Sequence, residues 1–493
     1  MIFNSLQYLV FFAVVALVTV LFKFRQNQVA FLLFSSCLFY LLSSSYLILC
    51  LFFVSLITYF AGQAIYRESS IRWRRFYLAF SVIYALGQLG LFKYSDQLSS
   101  ILSLFMGAAF GSFANCTILD ASCLLMPLGI SFYTFQSLSY VFDIYLGRLR
   151  PTPSLKEYIL FVAFFPQITS GPIVRARDFL HQIGSGGRLS VSASNLKYGI
   201  TLIGIGLIKK MVIADNLVRF VDPIFADPTN YNSLRIILAT IIFAVQLYCD
   251  FSGYSDIAIG SVRILGLRYP ANFNNPYLAL NPSDFWRRWH ISLSSFLRDY
   301  LYIPLGGNRA GVFRTHLNLL LTMTICGLWH GSSWNFLIWG AYHGFLLSAH
   351  RLIFRDLSLA RGMDTISKTR YWTALGVLAT QYLVSLGWLI FRVNDLNDLI
   401  YCLNKFIFWD FLSRLQYPGL VFGFIKETMP FLLLFGFYVA LIALYRNEFC
   451  SKDWVGMLSS LKLKYWMAYL MAVIFALIWF SPGSGTNYIY SAF

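Results

Sequence analysis

A polar tract that contains a histidine interrupts a chain otherwise dominated by apolar residues. The tract runs from Ser283 through His290 to Gly307, and a second histidine, His330, ends a later apolar run. Ionisable groups at membrane depth cost roughly 2.5–3.5 kcal/mol each, so they usually line a cavity and carry function. The first hypothesis is therefore chemistry performed inside a lipid bilayer.

His330 stands between Trp329 and Gly331. A neutral imidazole can take a proton from a hydroxyl or give one to a leaving group, and its usual pKa of about 6.5 suits both roles. Gly331 would permit close approach of a substrate or of backbone. The alternative is a histidine that hydrogen-bonds between helices, and position alone leaves both open. Four other histidines lie near predicted helix ends and are assigned no chemistry: His181, His316, His343 and His350.

The residues before His290 combine charge with large aromatic rings. If this segment is one helix, Trp286, Trp289 and His290 lie on neighbouring faces, and Arg287 meets His290 at the three-residue spacing. Such a set of side chains could bind a phosphate- or pantetheine-bearing donor, with the guanidinium groups of arginine donating hydrogen bonds to the phosphate. The alternative is a basic membrane anchor with interfacial tryptophans. The candidate donor-binding residues of this tract are Asp284, Trp286, Arg287, Arg288 and Trp289.

A third polar group, Cys249–Asp256, ends another apolar run and includes Asp250 and Ser255. These side chains could orient an imidazole or solvate a polar tunnel, but polar contacts between helices explain them equally well. Upstream, Lys209 and Lys210 are expected to extend towards a membrane interface rather than to bind a ligand.

Composition indicates a polytopic membrane protein. Of 493 residues, 58% are hydrophobic and 12% are charged, a balance unlike that of soluble domains. The net charge of +17 does not predict nucleic-acid binding, because Lys and Arg fall in short loops between apolar runs. That distribution is the positive-inside pattern of membrane proteins.

Several familiar motifs are absent from the sequence. It has no Walker A loop, no H-E-x-x-H and no G-x-S-x-G, which argues against ATP-driven transport, zinc proteolysis and common serine-hydrolase chemistry. The eight cysteines include no C-x-x-C pair, so neither a metal site nor a disulfide framework is predicted.

Apolar runs long enough for a ~30 Å hydrocarbon core predict about eleven or twelve transmembrane helices. The predicted spans are 5–22, 28–43, 45–63, 77–92, 122–143, 198–213, 233–262, 316–329, 333–350, 372–391, 430–445 and 465–480. With the basic loops in the cytoplasm, segments 99–114 and 157–174 do not cross, and both termini lie outside. Residues 1–22 lack the basic N-terminal region and the cleavage site of a signal peptide, so we expect them to form a helix that is retained.

No repeat or long linker divides the chain, which predicts a single membrane-embedded domain over residues 1–493. Residues 264–315 have the length of a soluble loop, but aromatic residues interleave there with Arg and Asp. Irregular backbone at membrane depth needs protein or a water-filled cavity around it. We therefore predict re-entrant helices and turns on the cytoplasmic side.

The chain resembles the membrane-bound O-acyltransferase superfamily, specifically its bacterial branch of alginate O-acetyltransferase-like and D-alanyl-transfer proteins. The resemblance covers most of residues 120–350, the core motif region. Its blocks, in the family's order, are 127–136, 165–173, 250–260, 281–307 and 328–331. It implies a helical bundle around a transmembrane tunnel, with a cytoplasmic thioester donor on one side and an acceptor on the other. It also implies that His330 is the essential histidine and that His290 lies along the donor route.

The leading hypothesis is transfer of an acetyl group, with acetyl-CoA as the expected donor and no bound cofactor, for O-acetylation of an extracytoplasmic polysaccharide. The resemblance implies alginate-like exopolysaccharide or peptidoglycan as acceptor, and an extracytoplasmic partner with a serine-hydrolase-like fold. An alternative is D-alanyl transfer from a carrier protein to teichoic acid. A third interpretation is a secondary transporter, although no pair of broken helices recurs in corresponding halves.

The C-terminal segment, 465–493, combines a predicted span with an aromatic tail that contains Tyr490. Related proteins often end in a similar aromatic motif, and a tyrosine hydroxyl activated by a base could carry an acyl group transiently. The alternative is an aromatic residue at the membrane interface.

Overall fold

We describe the protein from a computed structural model that covers residues 3–95, 97, 126–168, 171–184, 189, 191–356, 370–409 and 453–482. Within these ranges every regular element is helical, which confirms the predicted all-α class. In chain order the helices are α1 (Leu6–Leu21), α2 (Arg25–Ser44), α3 (Ile48–Arg67), α4 (Ile71–Lys93), α5 (Ile130–Tyr145), α6 (Leu155–Ala163), α7 (Phe165–Ile168), α8 (Ala176–Gly184), α9 (Ala193–Leu207), α10 (Asp215–Ala226), α11 (Ser233–Ile264), α12 (Pro282–Arg288), α13 (Ile291–Leu297), α14 (Val312–His330), α15 (Trp334–Arg351), α16 (Arg370–Arg392), α17 (Leu396–Phe408), α18 (Trp454–Ser460) and α19 (Leu463–Phe480). Three π-helical segments, Ile208–Ala214, Arg298–Tyr302 and Leu352–Asp356, adjoin α9, α13 and α15.

Five described stretches are long and apolar enough to cross a membrane, and α1 is a shorter apolar helix. These stretches are Arg25–Arg67, Ile71–Lys93, Ser233–Ile264, Trp372–Arg392 and Leu463–Phe480. The first has 43 residues, about twice what one crossing needs, and Ser45 breaks it with a φ of 47°. The larger predicted total stays a prediction, and the predicted span 430–445 lies outside the described residues.

The helices form two compact units. The first consists of Met1–Gly206 with Tyr254–Pro270, and the second of Leu207–Gly253 with Ala271–Phe493. The single-domain interpretation of the sequence stays a prediction.

In the first unit, aromatic side chains and close glycine contacts hold the helices together. Phe165 packs edge-on against the rings of Tyr8 and Phe11. A Cβ at Gly199 would lie 2.6 Å from the Gly260 carbonyl oxygen, so α9 and α11 approach too closely for any larger residue. The described part of the marginal segment 157–174 contains the nine-residue α6 and the four-residue α7, each of which is too short to span a bilayer.

In the second unit, α14 and α15 form a tight antiparallel pair. A Cβ at Gly327 would lie 2.1 Å from the Phe336 carbonyl oxygen, and one at Gly340 would lie 2.4 Å from that of Met323. Only glycine permits backbones to approach this closely. This contact fixes the end of α14, where the Trp-His-Gly motif lies.

The predicted re-entrant region contains short helices and turns, as expected. Helix α12 begins with Pro282 at its first position, and the Asn281 side chain accepts a hydrogen bond from the Asp284 N–H at 2.8 Å. Both features are typical of helix N-termini. The helix ends at Arg288, and His290, with a φ of 42°, turns the chain into α13.

Candidate active site

His330 is the last residue of α14, and its side chain is buried. The Trp339 ring lies edge-on to the imidazole at a centroid distance of 5.0 Å, and the Phe391 ring does so at 5.6 Å. The neighbouring Trp329 ring lies 4.9 Å away. Helices α14, α15 and α16 therefore place one imidazole inside an aromatic cage, where little bulk water would compete for its proton.

Gly331 lies directly against this cage. A Cβ at Gly331 would lie 2.1 Å from the ring of Phe336, and that ring packs edge-on against Phe391 at 5.0 Å. The sequence predicted that Gly331 permits a close approach, and the group that approaches is this phenylalanine ring.

His290 is also buried, but it does not lie on a helix. The predicted helical register through Trp286, Trp289 and His290 is wrong, because α12 ends at Arg288 and His290 adopts left-handed backbone geometry. A non-glycine residue in this conformation is uncommon and is often found at functional sites. Burial lowers the pKa of His290, so its neutral form is favoured.

One tryptophan connects the two predicted histidines. The Trp329 ring lies 6.2 Å from the His290 ring and 4.9 Å from the His330 ring, measured between centroids. The Phe251 ring packs edge-on against the His290 ring, with their centroids 4.7 Å apart. Residues that are forty positions apart in sequence thus share one aromatic wall.

A third histidine, His343, extends the wall, although the sequence analysis assigned it no chemistry. Its ring lies 4.8 Å from Trp339 and 5.1 Å from Trp286. Asn335, Trp339 and His343 repeat every four residues along α15, a spacing that places them on one helix face. That spacing was the available signal.

Ring nitrogens that belong to this wall are buried without a hydrogen-bond partner among the described residues. They are the indole nitrogens of Trp286, Trp339 and Trp388 and the Nε2 atoms of His290 and His343. Because buried polar atoms are nearly always hydrogen-bonded, such a cluster indicates a place where a polar ligand or water binds. Among the described residues, no group of His, Cys, Asp or Glu is placed to hold a metal ion.

The charged residues of α12 serve different purposes. The Arg288 Nε donates to Asp284 at 3.0 Å, and its Nη1 donates to the Asn274 carbonyl at 3.2 Å. Asp284 also accepts from the Leu280 N–H at 3.2 Å, so this pair ties the loop to the helix. Arg287 is exposed.

The aromatic candidates of α12 lie deeper. Trp289 is buried and packs against Trp388 at 4.7 Å, and Trp286 packs edge-on against Trp339 at 5.8 Å. Both tryptophans therefore belong to the wall around the histidines.

Asp250 belongs to a buried group of three charges. The Lys210 ammonium lies 2.7 Å from carboxylate oxygens of both Asp250 and Asp215, and all three side chains are at most 3% exposed. The expectation that Lys210 extends to an interface is therefore wrong, because its ammonium is buried against these two carboxylates. Asp250 also precedes Phe251, whose ring touches His290.

Two further candidates lie elsewhere. Ser255 is buried and belongs to the first unit. Tyr490 lies outside the described residues, and its proposed role as an acyl carrier stays a prediction.

The helices of membrane-spanning length and the buried Trp-His-Gly motif are features of an integral membrane protein. The pattern of the MBOAT, membrane-bound O-acyltransferase family, matches residues 145–386, a stretch that includes both predicted histidines. Relatives of known name extend this match.

The chain is 41% identical to "Probable alginate O-acetylase AlgI" of Azotobacter vinelandii over 336 residues, and this stretch is 67% of this chain and 62% of that protein. It is 35% identical to "Peptidoglycan O-acetyltransferase" of Helicobacter pylori, over 71% of this chain and 68% of that protein. It is 30% identical to "Teichoic acid D-alanyltransferase" of Bacillus subtilis, over 54% of this chain and 69% of that protein. The chain belongs to the membrane-bound O-acyltransferase family. It spans slightly less than two thirds of the length of the Azotobacter relative.

Proposed function

We propose that this protein is a multi-pass O-acetyltransferase of a bacterial cell membrane. It takes an acetyl group from a cytoplasmic thioester, acetyl-CoA, and passes it across the bilayer for O-acetylation of an extracytoplasmic polysaccharide. The observation that carries the proposal is the buried His330 in its cage of Trp329, Trp339 and Phe391. The names of the alginate and peptidoglycan relatives support the acetyl group and the class of acceptor.

The step we propose at His330 transfers the acyl group from the thioester to an acceptor hydroxyl. The acceptor hydroxyl oxygen attacks the thioester carbonyl, a carbon–oxygen bond forms, and the carbon–sulfur bond breaks to release coenzyme A thiol. His330 takes the proton from the attacking hydroxyl and returns it to the departing sulfur. The surrounding rings keep out water that would otherwise hydrolyse the thioester.

The wall of ring nitrogens supplies the polar contacts that such a substrate needs. A pantetheine arm carries amide groups, and unsatisfied buried donors such as the indole N–H groups of Trp286 and Trp339 would bind their carbonyl oxygens. In this proposal the guanidinium of Arg287, which is exposed, binds the phosphates of the donor. These roles extend the sequence-based prediction that α12 binds the donor.

Reconstituted vesicles test the donor. We expect purified protein to transfer labelled acetyl from acetyl-CoA on the donor side to a hydroxylated saccharide, or to a partner enzyme, on the other side. Absence of transfer together with uptake of intact polymer would contradict the proposal and favour a transporter. The control is the same membrane with labelled free acetate, which carries no activated acyl group.

A second candidate function is D-alanyl transfer, which the match to a teichoic acid D-alanyltransferase favours. The chemistry at His330 would be the same, but the thioester would arrive on a carrier protein. Transfer from a D-alanyl carrier thioester, with no transfer from acetyl-CoA, would identify this function instead of O-acetylation.

We also propose that both termini lie outside the cytoplasm and that acetyl passes to an extracytoplasmic serine-hydrolase-like partner through Tyr490. Replacing Tyr490 with Phe should then abolish polymer acetylation at normal expression, because only the hydroxyl can form the ester. Polymer ester content is the measurement, and Tyr488→Phe is the matched control. Full activity of Tyr490→Phe, or a C-terminal reporter that reads cytoplasmic, would exclude the relay.

A further inference from the structure

The side-chain oxygen of Asn272 is a point at which three hydrogen bonds converge. It lies 3.2 Å from the Ser292 backbone nitrogen, 2.8 Å from the Ser292 hydroxyl and 3.3 Å from Nδ1 of His290. In addition, the Ile291 N–H donates to the Asn272 backbone carbonyl at 2.9 Å. Asn272 is buried and lies eighteen residues before the histidine, so it joins two separate parts of the loop.

This geometry determines which nitrogen of His290 carries the proton. A backbone N–H can only donate, so the atom of Asn272 that faces the Ser292 N–H must be the oxygen rather than the amide nitrogen. That oxygen can only accept, so the Nδ1 of His290 that also faces it must carry hydrogen. The Ser292 hydroxyl lies 3.4 Å from the same Nδ1, but it donates its one hydrogen to the Asn272 oxygen at 2.8 Å and can therefore only accept from Nδ1. In the neutral ring, Nε2 then carries the lone pair.

The Nε2 atom of His290 is buried and has no hydrogen-bond partner among the residues that the structure describes. The ring is held between Phe251 and Trp329, neither of which offers it a donor at hydrogen-bonding distance among these residues. A buried lone pair without a donor costs free energy, about 1–3 kcal/mol. An O–H or N–H of a bound molecule would recover that free energy.

We propose that Asn272 is a positioning residue that fixes His290 as the Nδ1–H tautomer, so that Nε2 accepts a hydrogen bond from a bound substrate. The group accepted is an amide N–H of the pantetheine arm or a hydroxyl of the acceptor. The substrate assignment rests on the proposed acyl transfer, whereas the tautomer follows from the fold alone.

Nitrogen-15 NMR of the full chain in lipid, with labelled histidine, tests the tautomer directly. The signals of His290 are identified by their loss in His290→Gln. We expect a protonated Nδ1 and an unprotonated Nε2, and we expect the Nε2 signal to move when coenzyme A or a saccharide acceptor is added. The reagent that moves it identifies the source of the donor group. A protonated Nε2 in the free protein, or no response to either reagent, would overturn the proposal.

Because this experiment needs no turnover, it separates the proposal from the proposed function. If the tautomer is as expected but no acyl transfer is found, the proposed function fails and the role of Asn272 in positioning the ring stands. If transfer is found with the opposite tautomer, the role of Asn272 fails alone.

Two variants of Asn272 give a second test. Asn272→Leu removes the acceptor, and we expect acyl transfer to fall about 10- to 100-fold, the range found for residues that orient a metal-binding imidazole through its other nitrogen. Asn274→Leu is the matched control, since that exposed side chain contacts only Asn275 among the described side chains. Equal activity of the two variants would contradict the proposal.

Asn272→Asp preserves the shape and the acceptor, so it tests the role even if the leucine variant folds poorly. Among the described residues, the side chains against His290 are uncharged: Asn272, Ser292, Phe251 and Trp329. Two ionisable residues adjoin them in sequence. Asp250, next to Phe251, pairs with Lys210, and His330 is next to Trp329. A new carboxylate would stabilise the imidazolium and raise the pKa of His290. The pKa of His290, followed through its nitrogen-15 signals, should therefore rise by about one pH unit, and an unchanged pKa would count against the proposal.

Discussion

Replacing His330 with glutamine should lower acyl transfer by about 10²–10⁴-fold, the usual contribution of a general acid–base residue. Glutamine keeps a polar side chain of similar reach within the cage of Trp339 and Phe391, but it cannot carry a proton between the hydroxyl and the sulfur. The loss should appear in the turnover rate at saturating donor, because the variant removes a proton-transfer group and leaves the wall that binds the substrate. Transfer of labelled acetyl in vesicles measures it.

His330→Ala should be equally inactive, and its abundance in the membrane should stay close to that of the unmodified protein. His316→Ala is the matched control, because it removes an imidazole from the same helix, where Nδ1 of His316 lies 2.5 Å from the Ser348 hydroxyl. Its activity should stay within a few-fold of the unmodified protein. Acetylation of polymer by either His330 variant at a substantial fraction of normal would contradict the mechanism.

Much of the fold could be predicted from apolar runs alone. The predicted span 233–262 corresponds to α11, Ser233–Ile264, and the predicted span 372–391 corresponds to α16, Arg370–Arg392. Helix length and side-chain hydropathy are local properties, so a sequence window contains them. A different argument predicted re-entrant helices and turns in 264–315: its interleaved aromatic and charged residues indicated a buried segment, although its length was that of a loop.

The parts of the site that depend on long-range contacts could not be predicted. The left-handed backbone of His290 breaks the expected helix, and it is supported by Asn272 from eighteen residues away. Nothing near His290 in sequence marks that asparagine as its partner. His343 was missed for a related reason, because only the packing of α15 against Trp286 brings it to the wall.

Lys210 was misinterpreted because two adjacent lysines at the end of an apolar run usually extend to the interface. In the structure, the side chain instead meets Asp215, five residues later, and Asp250, forty residues later. A window around Lys210 contains one of these carboxylates but gives no sign that the backbone there is π-helical. Such segments often mark functional positions within helices.

Replacing Lys210 with Met should destabilise the protein severely. The ammonium lies 2.7 Å from both carboxylates in a site where no member is more than 3% exposed. Removing one partner of a buried ion pair costs about 3–5 kcal/mol, since the remaining charge keeps its desolvation penalty and loses its attraction. Here two carboxylates lose the same cation, and their mutual repulsion adds to the cost. We expect little folded protein in the membrane and a clearly lower midpoint of thermal unfolding.

The neighbouring Lys209→Met is the matched control. Its ammonium lies 5.6 Å from the Tyr248 ring centroid, a contact worth about 0.5–1 kcal/mol. A further variant separates charge from shape: Lys210→Met combined with Asp215→Asn and Asp250→Asn leaves no net charge in the site. It should recover much of the stability, because neutral amides are far cheaper to bury than carboxylates. If the triple variant is as unstable as Lys210→Met, packing rather than charge determines the stability of this site. If Lys209→Met and Lys210→Met are equally stable, water reaches the buried carboxylates.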